Sequence, residues 1–486
     1  MAKDRPNLVL ICVDQWRGDC LGFTGHPVVE TPHLDRLAKE STYFPRAYSA
    51  TPTCVPARRS LLTGLSQRTH GMVGYADGMD WNIDTTLPGV LADAGYHTQC
   101  IGKMHVHPKR SLVGFYNILL HDGYLFNHNR ARRENSHLKD DYLFWLHEKT
   151  GIGADFTDTG LGCNGYVARP WIYDEMLHPT SWVVTQAIDF LRRRDPSKPF
   201  FLKLSFVRPH PPLDPPQYYF DLYQQKELPP LPKGDWVTWD IHHREIISPV
   251  PTDQDQIDRA RRAYYAQITH IDHQLNRFFH ALVEYEFIDF YRSQDNTAIL
   301  FCADHGEMLY DHNLIAKVSP YDGSVRIPFM VRFPGIWDIP RGNTIEDPVV
   351  ELRDVLPTLC EIAEVDIPES VEGNSVVGLA RGEEKDWRKY LHGEHFSGIG
   401  SNQWVTDGSE KYIWFPVTGE ELLFDLKDDP KELHNLSQEK TERVAFWRER
   451  LARELEGREE GFVENGKLVK GAKIRPLLRE AKYGYN

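Results

Sequence analysis

A cysteine and an arginine four residues apart stand out in the stretch SATPTCVPARRSLLTG, residues 49–64. Pro56 suits the first turn of a helix, because the N–H that it lacks is not needed there. The Cys54 side chain is then expected near a helix N-terminus, where free amide groups and the helix dipole favour negative charge. Arg58 adds a permanent cation whose planar fork of donors suits tetrahedral oxyanions. Such surroundings lower the pKa of a thiol, so the first chemistry that the stretch indicates is a thiolate nucleophile.

Further reactive side chains close four short apolar runs of the sequence. The runs are rich in β-branched or aromatic residues and read NLVLICVD (7–14), HTQCIGKMHV (97–106), PFFLKLSFVRPH (199–210) and TAILFCADHGE (297–307). The side chains at or near their ends are Asp14, Lys103 with His105, His210, and Asp304 with His305. Runs of this length and composition predict β-strands. On a strand, the side chains of Lys103 and His105 would share one face, because the two residues are two positions apart.

Each of these side chains also has a purely structural interpretation. Asp14 could cap a helix or belong to a turn. Lys103 and His105 could lie on a solvated strand edge, and His210 could belong to a turn that its proline neighbours hold rigid. The stretch ADHGE (303–307) could be an acidic loop with a glycine turn. Taken together, the structural interpretations need independent coincidences of position, so we favour one shared site.

Helical patterns lie between the apolar runs and determine where the strand ends meet. They cover residues 31–41, 85–96, 180–194 and 259–285. Strands that alternate with helices predict an α/β fold with a mostly parallel central sheet sandwiched by helices. In such sheets, ligands bind beyond the carboxyl ends of the strands. We therefore expect the strand-end side chains to line one rim of the sheet.

The composition argues against several classes of function. The chain has 486 residues, 41% of them hydrophobic, and a formal net charge of −14. Nucleic-acid binding is not supported, because proteins that bind phosphate backbones usually present a basic face. No apolar run approaches the roughly 18 to 20 residues that a membrane span needs, and the N-terminus lacks the layout of a signal peptide. We expect no membrane association and a cytoplasmic protein as the sequence stands, or a periplasmic or secreted one if a signal has been removed.

The seven cysteines are spread along the chain without CxxC pairs. This distribution argues against a disulfide framework and against a zinc-knuckle site. Cys12, Cys100 and Cys302 lie inside apolar runs, and we predict that they are small, buried core residues.

The C-terminal part of the chain has a different pattern. EKYIWFPV (410–417) and EELLFDL (420–426) predict antiparallel strands, and residues 442–456 predict an amphipathic helix. We therefore expect an N-terminal catalytic domain of residues 1–365 and a smaller C-terminal α+β subdomain of residues 366–486.

Two long irregular segments, 107–178 and 211–250, lie near the predicted strand ends. Segments of this kind are often functional, so we expect both to shape a substrate pocket. Their aromatic and basic residues could stack on a sugar or an aryl group, although scattered residues of this kind are more often loop anchors. They include His107, His121, Trp145, Arg169, Trp171, Trp236, Trp239, His242 and His243.

The pattern Cys-x-Pro-x-Arg at 54–58, followed by RSLLTG, resembles the signature of the type I sulfatases, a formylglycine-dependent family of the alkaline-phosphatase superfamily. The resemblance covers most of residues 5 to 440. The further segments that carry it are RPNLVLICVDQWRGD, TPHLDRLAKE, GYHTQCIGKMH, VRPHPPLDPPQYY, ADHGE and LFDLKDDPKELHNL. They are similar, in that order, to the family's first strand with its metal-binding turn, its first helix, the strand with a catalytic Lys-x-His, the segment with a further catalytic histidine, the second metal segment and the C-terminal hairpin.

The resemblance implies an enzyme that hydrolyses a sulfate monoester to an alcohol and inorganic sulfate. A maturation enzyme would oxidise Cys54 to formylglycine, and the hydrate of that aldehyde would be the nucleophile. Arg58 would stabilise the hydrate. The remaining catalytic roles would fall to Lys103 and Lys317 on the sulfate oxygens, His210 near the leaving-group oxygen, and His105 on the proton of the second hydrate hydroxyl.

The same resemblance implies a divalent cation. Asp14, Asp304 and His305 would bind it, and modified Cys54 would complete the site through one hydrate oxygen. Many sulfatases have a second aspartate where this chain has Gln15, which offers only a neutral oxygen, and an asparagine where it has His305. Calcium is the first choice by resemblance, and the imidazole leaves manganese, magnesium or zinc open.

Two alternatives remain at this point. The Asp14–Gln15 pair also occurs in a related branch, the phosphonate and phosphate monoester or diester hydrolases, which share the formylglycine nucleophile. Lys103 and His105 match the sulfatase pair and favour the sulfatase interpretation. A non-catalytic protein that binds sulfated glycans is the third hypothesis, and the presence of every expected catalytic residue type argues against it. The substrate could be an aryl sulfate, a sulfated sugar or choline sulfate.

Overall fold

An eight-stranded sheet forms the centre of the fold. The computed structural model describes residues 5–123, 140–237, 253–290, 294–384, 386–471 and 474–485. The strands in chain order are β1 (Asn7–Asp14), β2 (Thr42–Tyr43), β3 (Ala47–Tyr48), β4 (His97–Gly102), β5 (Asn117–Leu120), β6 (Phe200–Pro209), β7 (Thr297–Ala303), β8 (Phe329–Arg332), β9 (Asn343–Thr344), β10 (Val350–Glu351), β11 (Leu391–His395), β12 (Asn402–Thr406), β13 (Glu410–Trp414), β14 (Glu421–Asp425), β15 (Val463–Glu464) and β16 (Lys467–Leu468). The central sheet has the order β5-β4-β6-β1-β7-β8-β2-β9.

The first five strands of that order run parallel to one another, and β8 runs antiparallel to β7. Every residue of β6 and β7 is buried, and so is every residue of β1 after Asn7. Near-continuous apolar strands of this kind are typical of a parallel sheet that is covered on both faces. The prediction of a mostly parallel α/β sheet is confirmed.

The helices surround this sheet and pack on one another. They are α1 (Pro32–Ala38), α2 (Cys54–Thr63), α3 (Gln67–His70), α4 (Leu87–Asp93), α5 (Asp141–Thr150), α6 (Pro179–Arg193), α7 (Gln217–Gln224), α8 (Gln254–Glu284), α9 (Asp322–Val325), α10 (Val355–Ile362), α11 (Val377–Arg381) and α12 (Thr441–Leu455). The four helices predicted between the strands correspond to α1, α4, α6 and α8. Helix α6 packs on β6 and on the long helix α8, so its apolar face is buried between sheet and helix. None of the helices in the described ranges is long and apolar enough to cross a bilayer.

A second, four-stranded antiparallel sheet, β11-β12-β13-β14, lies in the C-terminal part. The two strands predicted there are β13 and β14, in which Tyr412 pairs with Leu423, and the predicted helix is α12. Trp447 and Leu451 of α12 are buried against this sheet. The expected smaller α+β unit is therefore present, with two additional strands, β11 and β12. The division of the chain at residue 365 stays a prediction.

One strand prediction is wrong at its C-terminal end. Strand β4 ends at Gly102, so Lys103 and His105 follow the strand and do not share a strand face. The chain turns there because the backbone N–H groups of Met104 and His105 both donate to Asp122 Oδ1, each over 2.9 Å. His105 adopts a left-handed backbone conformation with φ 55°. Both side chains nevertheless line the same cavity, which the turn after the strand makes possible.

Candidate active site

The carboxyl ends of β1 and β7 bring three possible ligands together. The strands are adjacent and parallel, with Val13 opposite Ala303, so Asp14 and Asp304 leave the sheet side by side. His305 follows directly, and its Nε2 lies 3.3 Å from Asp14 Oδ1. With Cys54, these side chains form a buried cluster whose ligand atoms all lie within 4.8 Å of one another. The expectation that strand ends share one rim is met by these residues.

Cys54 enters the cluster from the first residue of α2. Its Sγ lies 3.6 Å from Asp14 Oδ1 and 3.3 Å from His305 Nε2. Burial and Asp14 act to raise the pKa of the thiol, but the cations Lys103 and Lys317 outweigh them and the net shift is downward. The position is thus suited to a group that carries partial or full negative charge.

The cluster fits a divalent cation by its donor chemistry. Two carboxylates and one imidazole converge in a site with almost no solvent exposure, and buried carboxylates are costly without a compensating cation. Carboxylate oxygens are the donors that calcium and magnesium prefer, whereas an imidazole also suits manganese or zinc. Asp14, Asp304 and His305 are therefore able to hold the ion that the sequence implies.

Two protein cations flank the same carboxylates. Lys103 Nζ contacts Asp14 Oδ2, and Arg58 Nε donates to Asp304 Oδ2 over 2.8 Å. Burial opposes the charge of Lys103, but Asp14 raises its pKa well above the ordinary value. Burial likewise acts to raise the pKa of Asp14, and Lys103 with its neighbours holds it well below the ordinary value. Both groups are therefore charged across the physiological pH range.

Arg58 is buried and oriented by more than the aspartate. Its Nη1 donates to the Lys103 carbonyl over 3.0 Å and to Ser205 Oγ over 2.9 Å. Its Nη2 has no hydrogen-bond partner in the described chain. Ser205 lies in the middle of a strand and carries no sequence signal, so sequence reasoning missed it.

The Gln15 side chain is held by residues outside the cluster. Its Oε1 accepts from Lys317 Nζ over 2.7 Å, and its Nε2 donates to Glu307. Tyr166 donates to the same Glu307 carboxylate over 2.6 Å. The Gln15 backbone N–H donates to Asp304 Oδ1 over 3.1 Å. Gln15 therefore holds Lys317 in place here, and its role as a cation ligand stays a prediction.

Lys317 and His210 form a pair beside Gln15. Lys317 Nζ lies within hydrogen-bond distance of His210 Nε2, and the other ring nitrogen, Nδ1, donates to the Pro211 carbonyl over 2.8 Å. Burial and the Lys317 charge lower the pKa of His210 well below its ordinary value. The imidazole is therefore neutral, and Lys317 donates the proton that the two nitrogens share.

His105 is close to the other residues but makes no such pair. It is buried, and neither ring nitrogen has a hydrogen-bond partner in the described chain. Asp77 Oδ1 lies 3.9 Å from its Nε2. Burial, with the charges of Lys103 and Arg58, lowers the pKa of His105 well below its ordinary value. A neutral imidazole with free nitrogens is able to accept a proton.

A cavity of about 550 Å³ opens onto these side chains. This volume is in the usual range for small-molecule sites. Sequence reasoning identified Cys54, Lys103, His105, His210 and Lys317 in its wall. The other lining residues were not predicted, namely Thr53, Tyr75, Asp77, Asp122, Cys163, Asn164, Val207, Pro211, Val318, His395, Phe396 and Ser397.

The described residues of the two irregular segments contribute to this wall at a few positions. The first supplies Asp122, Cys163 and Asn164, and the second supplies Pro211. The aromatic residues Trp171 and Trp236 are buried as anchors. Three further candidates, Trp239, His242 and His243, lie outside the described residues.

Comparisons with known proteins agree with this geometry. Residues 6–365 match the sulfatase family model, and residues 309–460 match the model described as N-sulphoglucosamine sulphohydrolase, C-terminal. The chain is 50% identical over 482 residues to an arylsulfatase from Clostridium perfringens, covering 97% of this chain and 99% of that one. It is 28% identical to a choline-sulfatase from Rhizobium meliloti, covering 90% and 83%. The structure of a phosphonate monoester hydrolase from Agrobacterium radiobacter superposes with a TM-score of 0.76 at 25% identity, covering 92% and 95%.

Proposed function

This chain belongs to the sulfatase family and is a sulfuric ester hydrolase, and we propose that it cleaves a sulfate monoester with a formylglycine hydrate derived from Cys54. The observation that carries the proposal is the position of Cys54. Its sulfur lies within the carboxylate and imidazole cluster and opens onto the cavity. A nucleophile at that point can meet a cation on one side and a substrate on the other.

In the mature enzyme, the two hydroxyls of the hydrate would stand where the Cys54 sulfur lies. The conversion needs a maturation enzyme and an external two-electron oxidant, with the sulfur exchanged for a water oxygen. Arg58, whose Nη2 has no other partner among the described residues, is available to the hydrate. A divalent cation held by Asp14, Asp304 and His305 would lower the pKa of a hydrate hydroxyl and neutralise charge on the sulfate.

Lys103 and Lys317 are the cations that would bind the sulfate oxygens. Both line the cavity next to Cys54. A sulfate ester is an anion that resists attack, so fixed cations on its non-bridging oxygens stabilise the charge that develops in the transition state. This role explains why the chain keeps two buried lysines beside its nucleophile.

The proton balance of the reaction can be assigned to the Lys317–His210 pair and to His105. One hydrate oxygen, already ionised, attacks sulfur, so a new S–O bond forms and the S–O bond to the alcohol breaks. The departing alcohol oxygen needs a proton, and the Lys317–His210 pair holds one within the cavity wall. The second hydrate hydroxyl must then lose its proton to expel sulfate and restore the aldehyde. His105, neutral and without a partner in the described chain, is the base for this step.

The phosphonate and phosphodiester hydrolases are the second candidate function. The Asp14–Gln15 pair and the likeness to the phosphonate monoester hydrolase structure favour it. Lys103 and His105 favour the sulfatase, because they match the Lys-x-His pair of the sulfatases, whereas the phosphonate hydrolases carry other residues there. We expect sulfate esters to be the better substrates, with slower turnover of phosphoesters.

Peptide mass and turnover together test the proposal. A peptide that contains Cys54 should be about 18 Da lighter than its sequence mass, as expected for cysteine converted to the aldehyde. The same preparation should hydrolyse 4-nitrophenyl sulfate faster than a matched aryl phosphonate ester. An active preparation with an unmodified cysteine would contradict the formylglycine mechanism. Faster phosphonate turnover would favour the second candidate.

A further inference from the structure

The cavity has a part whose chemistry the sulfate does not use. Lys103 and Lys317 are engaged with Asp14, Gln15 and His210 around the nucleophile. The same cavity is also lined by side chains with no role in the reaction proposed above. They include Tyr75, Asp77, Val207, Val318, His395 and Phe396.

His395 is the most informative of these residues. It is 3% exposed, and neither of its ring nitrogens makes a hydrogen bond with the described protein. Among the buried histidines in the described part of the chain, only His105 shares this property, and both residues line the same cavity. A buried polar group without a hydrogen-bond partner costs free energy. A ligand that supplies the missing hydrogen bond therefore gains binding free energy.

The backbone holds His395 firmly in this position. It is the last residue of β11 and pairs with Asn402 of β12, whose Nδ2 donates to the Val318 carbonyl over 3.0 Å. The residues on either side are fixed by N–H donation to the main body, from Glu394 to Ala50 over 2.8 Å and from Phe396 to Val73 over 2.7 Å. The C-terminal sheet therefore delivers the imidazole of His395, on a firmly held backbone, to a cavity whose reactive groups come from earlier parts of the chain, between Cys54 and Lys317.

The imidazole of His395 is neutral. Burial is the largest cause, and it lowers the pKa of His395 to about 3. A neutral imidazole offers one N–H donor and one acceptor, which is the pattern that a hydroxyl group satisfies. An anionic group would find only the single donor.

The surrounding wall is apolar and weakly acidic. Val207, Val318 and Phe396 provide apolar surface, and the Tyr75 ring lies 6.0 Å from the His105 ring. Asp77 is half-exposed and lies 3.9 Å from His105. The described wall contains no arginine, and its two lysines are engaged near the nucleophile. A carboxylate and apolar surface suit an uncharged ring better than a second sulfate.

We propose that the part of the cavity formed by Tyr75, Asp77, His395 and Phe396 binds the uncharged, hydroxyl-bearing alcohol portion of a monosulfate ester, and that His395 is the hydrogen-bonding partner of that hydroxyl. This inference rests on the proposed sulfatase function and adds the substrate class to it. His395 is a specificity residue, because it contacts the substrate away from the bonds that change.

Matched substrates and variants test the role of His395. The substrates are phenyl sulfate with 2-hydroxyphenyl sulfate, and galactose 6-sulfate with its monodeoxy analogues. Wild-type enzyme should prefer at least one hydroxylated ester over its deoxy partner by about tenfold or more in kcat/KM, as expected for one buried hydrogen bond. His395→Phe should remove that preference, and His395→Gln, which keeps a donor and an acceptor, should restore part of it. His434→Phe, at an exposed site paired with Asp235, is the control that should leave the preference unchanged.

The outcomes separate this inference from the function on which it rests. A preference that survives in His395→Phe, or that is absent from both wild-type series, overturns the inference while phenyl sulfate turnover leaves the sulfatase function standing. An equal loss on every ester would assign His395 to the sulfate group and would also overturn it. If wild-type enzyme with modified Cys54 hydrolyses no sulfate ester, the proposed function fails first.

The acidic wall is tested by charge. Wild-type enzyme should use galactose 6-sulfate several-fold better than a galactose disulfate, because Asp77 and the apolar wall disfavour a second anion. Asp77→Asn should narrow that difference while the hydroxyl preference persists. A wild-type preference for the disulfate would contradict the inference that the alcohol portion of the substrate is uncharged.

Discussion

Two clusters of potential metal ligands occur in the described residues, and their surroundings differ. One is the active-site cluster, defined as Asp14, Cys54, Asp304 and His305, and the other, which we call the helix cluster, is His33, Asp272 and His273. Every member of the active-site cluster is buried, whereas both histidines of the helix cluster are partly exposed.

The buried carboxylate of each cluster shows the difference most clearly. Asp272 accepts N–H groups at the start of α1, from His33 over 3.2 Å to Oδ2 and from Leu34 over 2.7 Å to Oδ1. Binding α1 to α8 is therefore a sufficient reason for Asp272 to be buried. Asp14, in contrast, is surrounded by Lys103, His305 and Cys54 at the wall of a cavity. Similar side chains therefore stabilise the fold in the helix cluster and indicate catalytic chemistry in the active-site cluster.

The largest effect is expected at the nucleophile. Cys54→Ala should lower turnover of 4-nitrophenyl sulfate by about a thousandfold or more, because the group that attacks sulfur is gone. The melting temperature of Cys54→Ala should change little, since a small side chain at the start of α2 contributes little to the packing of the hydrophobic core. His33→Ala in the helix cluster is the matched control and should keep wild-type turnover. Comparable losses in the two variants would end the distinction between the clusters.

Cation binding should follow the same division. Asp304→Asn should weaken calcium or manganese binding by about a hundredfold, because the variant removes a charged ligand and disturbs Arg58. His273→Ala should leave the affinity and the number of bound ions unchanged. Titration calorimetry on protein freed of metal by chelation measures both quantities. If wild-type enzyme binds two ions and His273→Ala binds only one, the helix cluster is a metal site as well.

The pH dependence of cation binding sharpens the comparison further. Burial opposes a charge on His305, but Asp304 and Cys54 outweigh it and raise its pKa above the ordinary value. A cation must displace the His305 proton, so its affinity should fall as the pH drops through this raised pKa, by about tenfold per unit. His305→Asn should bind with a flatter pH profile. A wild-type affinity that is independent of pH below neutrality would show that His305 is not a ligand.

The fold was largely predictable because its parallel strands are continuous apolar runs with helices between them. β1, β6 and β7 were each predicted with the correct strand-end side chain. The end of β4 was not, because the turn after Gly102 depends on Asp122, which is distant in the sequence from the residues that it binds.

Site residues were predictable where a sequence motif carries the chemistry. They were less predictable where a residue joins the site through contacts with elements that are distant in the chain. The Cys-x-Pro-x-Arg pattern identified Cys54 and Arg58, but nothing in the sequence indicated Ser205 or His395. Their relevance arises from contacts between elements that are far apart in the chain. His395 reaches the cavity only because β11 docks on the main body, which no local pattern reveals.

The smallest effect is expected at Asp272, and it is one of stability. Burial outweighs the two N–H donors and raises the pKa of Asp272 to about 8. The folded protein therefore holds this proton more tightly than the unfolded chain does, so the contribution of Asp272 to stability is greatest at acidic pH and declines as the pH rises towards 8. Asp272→Ala should lower the free energy of unfolding by about 1 to 2 kcal/mol through loss of the α1 cap, with kcat unchanged in the folded enzyme. Denaturant unfolding at several pH values measures this, and an unchanged pH slope in Asp272→Ala would mean that the carboxyl does not titrate in this range.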